Sequence, residues 1–271
     1  MVTRTIEARG THLFLLDPPD AMLVCLLGSF RVLRCGQQHD AFIAGKAMNL
    51  LAKLALHFET GVPRETLMEL LWPEQESELA AASLHSLIYS LHRRLHGMRR
   101  DVATIIYANG TYALNAAAGV STDIARFDAL VSTGNRLAAA QHNEAAADTY
   151  ERALAIYRGD LAVGTDVYAV IERERLRANF LTILAWVADR SYREADYLAA
   201  LEYASRPLAH DPCREDAHRV VMRAHVRRGE RAQALRQYGL CEQLLRREFD
   251  AVPEAATTAL FDCIRSDSAA V

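Results

Sequence analysis

An Asn-Gly pair at residues 109 and 110 constrains the fold of the N-terminal half more than any other feature. It separates two short runs, 104–108 and 111–114, that are rich in β-branched and aromatic residues. Asn and Gly readily adopt the positive φ angles that tight two-residue hairpin turns require. The sequence therefore predicts a β-hairpin over residues 104–114.

Three helical patterns precede this hairpin. Apolar residues from Met48 to Phe58 recur at helical spacing before Gly61, which predicts the first helix. Residues 64–71 predict a second helix after Pro63, and residues 78–96 predict a third that stops at Gly97.

Short apolar runs between residues 23 and 44 also predict two to four antiparallel strands. A small sheet, three helices and a hairpin form the order of a winged helix-turn-helix, with the hairpin as the wing.

The C-terminal half is rich in Ala and Leu and predicts helices almost throughout. Ala-x-x-x-Tyr occurs at Ala146/Tyr150, Ala199/Tyr203 and Ala234/Tyr238, and the last two tyrosines are 35 residues apart. This interval is close to the tetratricopeptide period of about 34 residues. We interpret these alanines and tyrosines as core residues of paired helices.

The predicted fold class is therefore mainly α, with an N-terminal winged helix-turn-helix followed by an all-α, tetratricopeptide-like repeat domain. We expect four segments in chain order: an N-terminal tail at 1–20, a winged helix domain at 21–115, a linker of small uncharged residues at 116–122 and the repeat domain at 123–271.

The overall charge does not indicate a nucleic-acid binder. The formal net charge is −3, and residues 1–115 hold eleven basic and eleven acidic residues. Phosphate contacts from Lys and Arg supply most nonspecific DNA affinity, so we expect this affinity to be modest.

Several function classes find no support in the motifs. The five cysteines are scattered without metal-ligand spacing, which favours reduced thiols and predicts no metal or cofactor. No apolar run approaches the roughly 20 residues that span a bilayer, so we expect a cytoplasmic protein without membrane contact. Catalytic signatures such as GxSxG, HExxH and GxxxxGK[ST] are missing, and we expect no enzyme.

Six segments, in one order, carry a resemblance to a known family. The first two read Leu-Gly-Ser-Phe-Arg-Val and Leu-Met-Glu-Leu-Leu-Trp-Pro-Glu. The full set comprises residues 27–32, 67–74, 84–95, 123–127, 157–161, and 211–219 followed by 228–238. The chain resembles the Streptomyces antibiotic regulatory protein family, in which an OmpR-type winged helix precedes a bacterial transcriptional activation domain. The resemblance covers residues 23–264.

The resemblance implies a transcriptional regulator that binds double-stranded promoter DNA, often at direct repeats, and contacts RNA polymerase. We expect an activator, although the sequence does not separate activation from repression. The repeat domain would then serve for dimerisation, for contact with RNA polymerase, or for binding a small-molecule or protein effector. We expect a homodimer. Larger relatives add an ATPase module, whose phosphate-binding motif this sequence lacks.

The third helix is the predicted recognition helix. A helical wheel buries Leu84, Leu87, Ile88, Leu91 and Leu95. In this motif the N-terminal half of the helix contacts base edges in the major groove. The predicted base contacts are therefore Ala82, His85, Ser86, Tyr89 and Ser90. Basic side chains suited to phosphates are Arg64, Arg93, Arg94, Arg99 and Arg100. The wing tip offers Asn109, Gly110 and Thr111 to a minor groove or the DNA backbone.

Two departures from the family pattern support an alternative. Ser90 and His92 stand where OmpR-type recognition helices often carry arginine, and the wing contains no Lys or Arg. The alternative is an interaction adaptor or ligand sensor that uses the repeat groove and does not bind DNA. Charge reversal at Arg93 and Arg94 separates the two hypotheses.

Overall fold

The structure is a computed structural model that describes residues 22–34, 36–38, 43–95, 103–164 and 166–266. The predicted tail, 1–20, lies outside these residues. The chain divides into two compact units, 1–176 and 177–271, and the division falls within the sixth helix. The predicted domain boundaries stay predictions.

A four-stranded sheet contains the first strands of the chain. β1 (Met22–Cys25) pairs antiparallel with β2 (Arg31–Arg34), which pairs antiparallel with β3 (Gln37–Gln38). On its other side β1 pairs in parallel with β7 (Val120–Thr122), so the strand order is β3-β2-β1-β7. β1 is buried along its whole length, as expected of a strand with neighbours on both edges.

The last three residues of the segment 116–122, for which the sequence predicts a linker, belong to this sheet. Ala116–Ala118 form a 3-10 turn, and β7 follows directly. The backbone N–H of Met22 also donates to the carbonyl of Gly119, at 3.0 Å. Small uncharged residues carry little local signal, and the hydrogen-bonding partner of this strand lies almost a hundred residues earlier.

Three helices and a second sheet form the helix-turn-helix and wing. The helices are α1 (Lys46–Leu56), α2 (Arg64–Leu71) and α3 (Ser77–Leu95). α1 buries Leu50, Leu51 and Leu54 completely, which accounts for the helical spacing of its apolar residues.

The predicted hairpin consists of β5 (Ile105–Ala108) and β6 (Thr111–Leu114). Its turn residues Asn109 and Gly110 have φ angles of 51° and 79°, as a type I′ turn requires. A third, two-residue strand, β4 (Val62–Pro63), pairs with β6. The sequence predicts the hairpin correctly but not β4, because two residues carry no periodicity.

The remaining elements are helical. They are α4 (Asp123–Ala139), α5 (Asn143–Ile156), α6 (Val167–Arg193), α7 (Tyr197–His210), α8 (Glu215–Arg227), α9 (Arg231–Phe249) and α10 (Ala255–Ser266). No helix in the described ranges is long and apolar enough to cross a membrane. The predicted fold class, mainly α with a winged helix followed by helical repeats, is confirmed.

The Ala-x-x-x-Tyr pairs take part in helix packing to different degrees. Ala146, Tyr150 and Ala234 are buried. Tyr238 is half-buried and stacks on Phe261 of α10, with ring centroids 4.1 Å apart. In the second unit, neighbouring alanines do most of this packing, because Ala200 and Ala204 of α7 meet Val220 and Ala224 of α8. Ala199 and Tyr203 are only partly buried.

Candidate nucleic-acid interface

α3 presents two chemically different faces. Leu84 and Leu91 are completely buried, Ile88 and Leu95 are nearly so, and Leu87 is half-buried. This pattern reproduces the predicted apolar face, with Leu87 at its margin. Packing of this face against α1 and α2 fixes the direction in which the rest of the helix projects.

The predicted base-contact residues occupy the other face. Ala82, His85 and Ser86 are exposed, and Tyr89 is 63% exposed despite its large aromatic ring. Ser90 is half-buried at the edge of this face, so its hydroxyl is less available than the sequence predicts. The four exposed residues span two turns of helix, which matches the reach of a recognition helix in a major groove.

Arginines follow this face toward the C-terminal end of α3. The side chains of Arg93 and Arg94 are both exposed in the last turn of the helix. Basic residues there also interact favourably with the partial negative charge of the helix C-terminus. Arg99 and Arg100, which the sequence places further along, lie outside the described residues.

The second predicted phosphate contact adjoins the wing. Arg64 is the first residue of α2, and its backbone N–H donates to the carbonyl of Gly110, at 2.9 Å. Its side chain is half-buried. The pKa of Tyr112 is raised by burial, and the positive charge of Arg64 opposes this rise. The tertiary fold therefore brings together Arg64 and the predicted wing contacts, which are 46 residues apart in the chain.

The wing itself is uncharged and partly apolar. Asn109 and Gly110 are exposed at its tip, and Thr111 is half-buried. Ile106 and Tyr107 are 40% and 53% exposed on β5, and Tyr107 packs on Tyr112 with ring centroids 4.5 Å apart. These side chains suit van der Waals and hydrogen-bonding contacts better than phosphate neutralisation.

A buried carboxylate that the sequence does not identify as structural supports this part of the molecule. Asp123, the first residue of α4, accepts the backbone N–H of Leu26 at 2.9 Å and that of Leu27 at 2.8 Å. Burial raises the pKa of Asp123, and the backbone donors of Leu27 and Leu26 oppose the rise. The family segment at 123–127 locates this aspartate, but its partners lie far away in the chain.

Comparison with known proteins identifies the family. A family model described as the bacterial transcriptional activator domain matches residues 122–265. The chain belongs to the bacterial transcriptional activator domain family. The matched region begins at the last residue of β7 and includes every helix from α4 to within α10.

Two curated relatives share this family's regulatory character. The chain is 28% identical over 225 residues to the regulatory protein DnrI of Streptomyces peucetius. This match covers 79% of this chain and 81% of DnrI. It is 27% identical over 205 residues to the regulatory protein AfsR of Streptomyces coelicolor, which covers 75% of this chain. That match spans only 20% of AfsR, so the chain corresponds to about a fifth of this relative's length. These matches confirm the predicted resemblance to the Streptomyces antibiotic regulatory protein family.

A solved structure shows the same fold. EmbR of Mycobacterium tuberculosis, in complex with a low-affinity phosphopeptide, superimposes with a TM-score of 0.73 at 21% sequence identity. The match covers 90% of this chain and 65% of the EmbR chain.

Proposed function

We propose that this chain is a DNA-binding transcriptional activator that reads promoter DNA with the exposed face of α3. The observation that carries the proposal is the division of this helix into two faces. Leu84 and Leu91 fix one face in the core, and the other exposes His85, Ser86 and Tyr89 as hydrogen-bonding and stacking groups. Membership of a transcriptional activator domain family supports this function.

The proposal gives each group of residues a role. Ala82, His85, Ser86 and Tyr89 contact base edges, and Ser90 contributes from the margin of the face. Arg93 and Arg94 contact phosphates on one side of the groove.

Arg64 and the wing tip act together on the neighbouring backbone, because a hydrogen bond joins the start of α2 to the turn. Arg99 and Arg100 keep the phosphate-binding role that the sequence assigns to them.

The same proposal includes partners for the helical repeats. We expect contact with RNA polymerase, pairing with a second copy of the chain, and binding of a small-molecule or protein effector. A cytoplasmic location and the lack of an enzymatic reaction belong to the proposal as well. Both agree with the two relatives, which are described as regulatory proteins.

A second candidate function is that of an interaction adaptor without DNA affinity. The uncharged wing with exposed Ile106 and Tyr107 favours it, because exposed apolar side chains are typical of protein contacts. Under this hypothesis the exposed face of α3 binds a protein, no DNA motif is enriched, and substitutions on this face weaken protein binding instead.

Genome-wide DNA capture with the purified full chain tests the proposal, followed by a salt titration on the best fragment. We expect one repeated motif to be enriched and its affinity to fall steeply as salt rises. The variant Arg93→Glu is expected to weaken binding by about tenfold or more at moderate salt and to reduce the salt slope.

Arg152→Glu is the matched control, since Arg152 is also an exposed arginine within a helix, α5. It changes the net charge identically and is expected to retain nearly full affinity. Failure to enrich any motif at low salt would overturn the DNA-binding proposal and favour the adaptor. Equal losses in the two variants would show that only net charge matters and would refute the assigned role of α3.

A further inference from the structure

A cavity of about 240 Å³ lies within the first compact unit, next to the helix-turn-helix. Its walls come from three places in the chain. They are the end of α1 with the following turn, the beginning of α4 and the first half of α6. The polar side chains in these walls include His57, Glu59, Asp128, Tyr168, Glu172 and Arg175.

His57 leaves a buried polar atom unsatisfied at this cavity. Its Nε2 is, among the buried side-chain nitrogens and oxygens that the structure describes, the one without a hydrogen-bond partner. The imidazole stacks on Tyr168, with centroids 4.2 Å apart and planes inclined by 24°. Burial, followed by the charge of Lys53, lowers the pKa of His57, so the ring is neutral near pH 7. A buried nitrogen without a partner is unfavourable, and a bound molecule that supplies a partner removes the cost.

The ionisable side chains around the cavity leave an excess of negative charge. Glu59, Asp128 and Glu172 provide three carboxylates, and Arg175 is the one cationic side chain among the lining residues. The guanidinium donates to both oxygens of Asp128 at 2.8 Å and to Glu172 at 2.8 to 3.2 Å. Glu59 is exposed at the rim and has no ion pair with a described residue. A concave surface with this excess attracts cations.

The chemistry of these groups selects one kind of ligand. A neutral imidazole nitrogen and carboxylates accept hydrogen bonds, and an ammonium group donates three. The tyrosine ring offers an additional favourable contact to a cation. A metal ion fits less well, because the part of the chain that the structure describes contains no cluster of His, Cys, Asp or Glu arranged to hold one.

We propose that this cavity binds a small organic ammonium cation. One ammonium group donates to Nε2 of His57, and the positive charge is balanced by Glu59 and the carboxylates that Arg175 holds in place. The volume suits an aliphatic amine or diamine rather than a larger ligand.

The walls belong both to α1 of the winged helix and to α4 and α6 of the repeat region, so a bound cation stabilises their mutual arrangement. Any effect of this binding on DNA affinity rests on the proposed function, whereas the binding itself does not.

The test is a calorimetric titration of the full chain with 1,4-diaminobutane, without DNA, at constant ionic strength. 1,4-Butanediol, which has the same carbon chain and no charge, is the ligand control. We expect saturable binding of one diamine per chain and no binding of the diol. His57→Phe keeps the stacked ring and removes the nitrogen, and Glu59→Gln removes an exposed charge.

Each substitution is expected to weaken binding by about tenfold, as the loss of one charge-assisted contact would. Glu151→Gln, at an exposed position of α5 outside the cavity, is expected to bind like the parent.

Three results would overturn the proposal: no saturable heat with millimolar diamine, equal binding of the diol, or parent-like binding by both cavity variants. Circular dichroism checks that the His57→Phe protein is folded, so that a loss of diamine binding reflects the missing nitrogen. Glu59→Gln tests the site independently, because Glu59 is exposed. Because the titration contains no DNA, its failure leaves the proposed DNA-binding function untouched.

Discussion

The backbone N–H of Arg64 donates to the carbonyl of Gly110 at 2.9 Å, which joins the start of α2 to the turn of the wing. Gly110 has a φ of 79°, and its neighbour Asn109 has a φ of 51°. The position of the wing relative to the helix-turn-helix therefore depends on a turn conformation that residues other than Gly, Asn and Asp seldom adopt.

A substitution at this turn should lower the free energy of unfolding only where the new side chain disfavours a positive φ angle. We expect Gly110→Val to destabilise the protein by about 1–2 kcal/mol, because a β-branched residue is strained at this φ. Asn109→Gly, at the adjacent position, should change stability by less than about 0.5 kcal/mol, since glycine tolerates positive φ. Urea unfolding measures both. A Gly110→Val protein as stable as the parent would contradict the role of the turn.

Asp123 should be far more important for stability than its place at the start of α4 suggests. In Asp123→Asn one oxygen becomes an NH2 group facing the backbone N–H donors of Leu26 and Leu27. We expect a loss of about 2–3 kcal/mol in the free energy of unfolding, since buried donors lose their acceptor. Asp148→Asn, an exposed change of the same chemistry on α5, should cost almost nothing. Equal stability of the two variants would show that the buried carboxylate is dispensable.

Two Gly→Ala substitutions should have opposite effects on stability, because Gly134 lies in the close contact of α4 with α5 and Gly239 lies against open space. A Cβ on Gly134 would clash with Cε1 of Tyr150. The hydroxyl of Tyr150 donates to Asn135 at 2.7 Å, which restrains the ring. Overpacking should outweigh the better helix propensity of alanine and destabilise the protein by about 1–2 kcal/mol.

Gly239 in α9 has nothing within 4 Å of such a Cβ. Gly239→Ala should therefore stabilise by up to about 1 kcal/mol. Thermal and urea unfolding distinguish the two variants, and stabilisation by Gly134→Ala would refute the packing described for Tyr150.

His218 should make the second unit sensitive to acid. Its Nε2 donates to the carbonyl of Pro212 at 2.9 Å, and its Nδ1 accepts from the amide of Gln237 at 2.8 Å, which describes a neutral ring. Burial lowers the pKa of His218 below that of an unfolded histidine. The unfolded state therefore binds more protons, and stability should fall as the pH drops below about 6.5.

Fluorescence of Trp186 reports this effect in a Trp72→Phe background, since the chain has two tryptophans. Urea unfolding near pH 7.5 and 5.5 gives the difference in stability. His218→Gln should reduce that difference, whereas His142→Gln, at an exposed position, should retain it. An unchanged pH dependence in His218→Gln would contradict the neutral buried ring.

Local patterns in the sequence were sufficient for the helices and the wing. The spacing of Leu84, Ile88 and Leu91 predicts the buried face of α3, and the structure confirms it. The Asn109-Gly110 pair predicts the hairpin because both residues accept positive φ angles. These features are decided by residues within one or two turns of each other, so their signals are readable without tertiary information. The half-buried state of Ser90 marks the limit, because a wheel does not show where neighbouring elements end.

Contacts between distant residues were decided only by the tertiary structure. β7 is short, uncharged and without periodicity, and it becomes a strand because β1 offers it a free edge. Asp123 accepts hydrogen bonds from the backbone N–H groups of Leu26 and Leu27. His57 stacks on Tyr168 beside the cavity. Hydrogen-bond partners and cavity walls depend on which surfaces pack together. The sequence by itself determined the helices of the winged helix domain, its hairpin and the faces that they bury. Packing determined the strands β4 and β7, which buried polar groups meet, and which of those in the described residues is left without a partner.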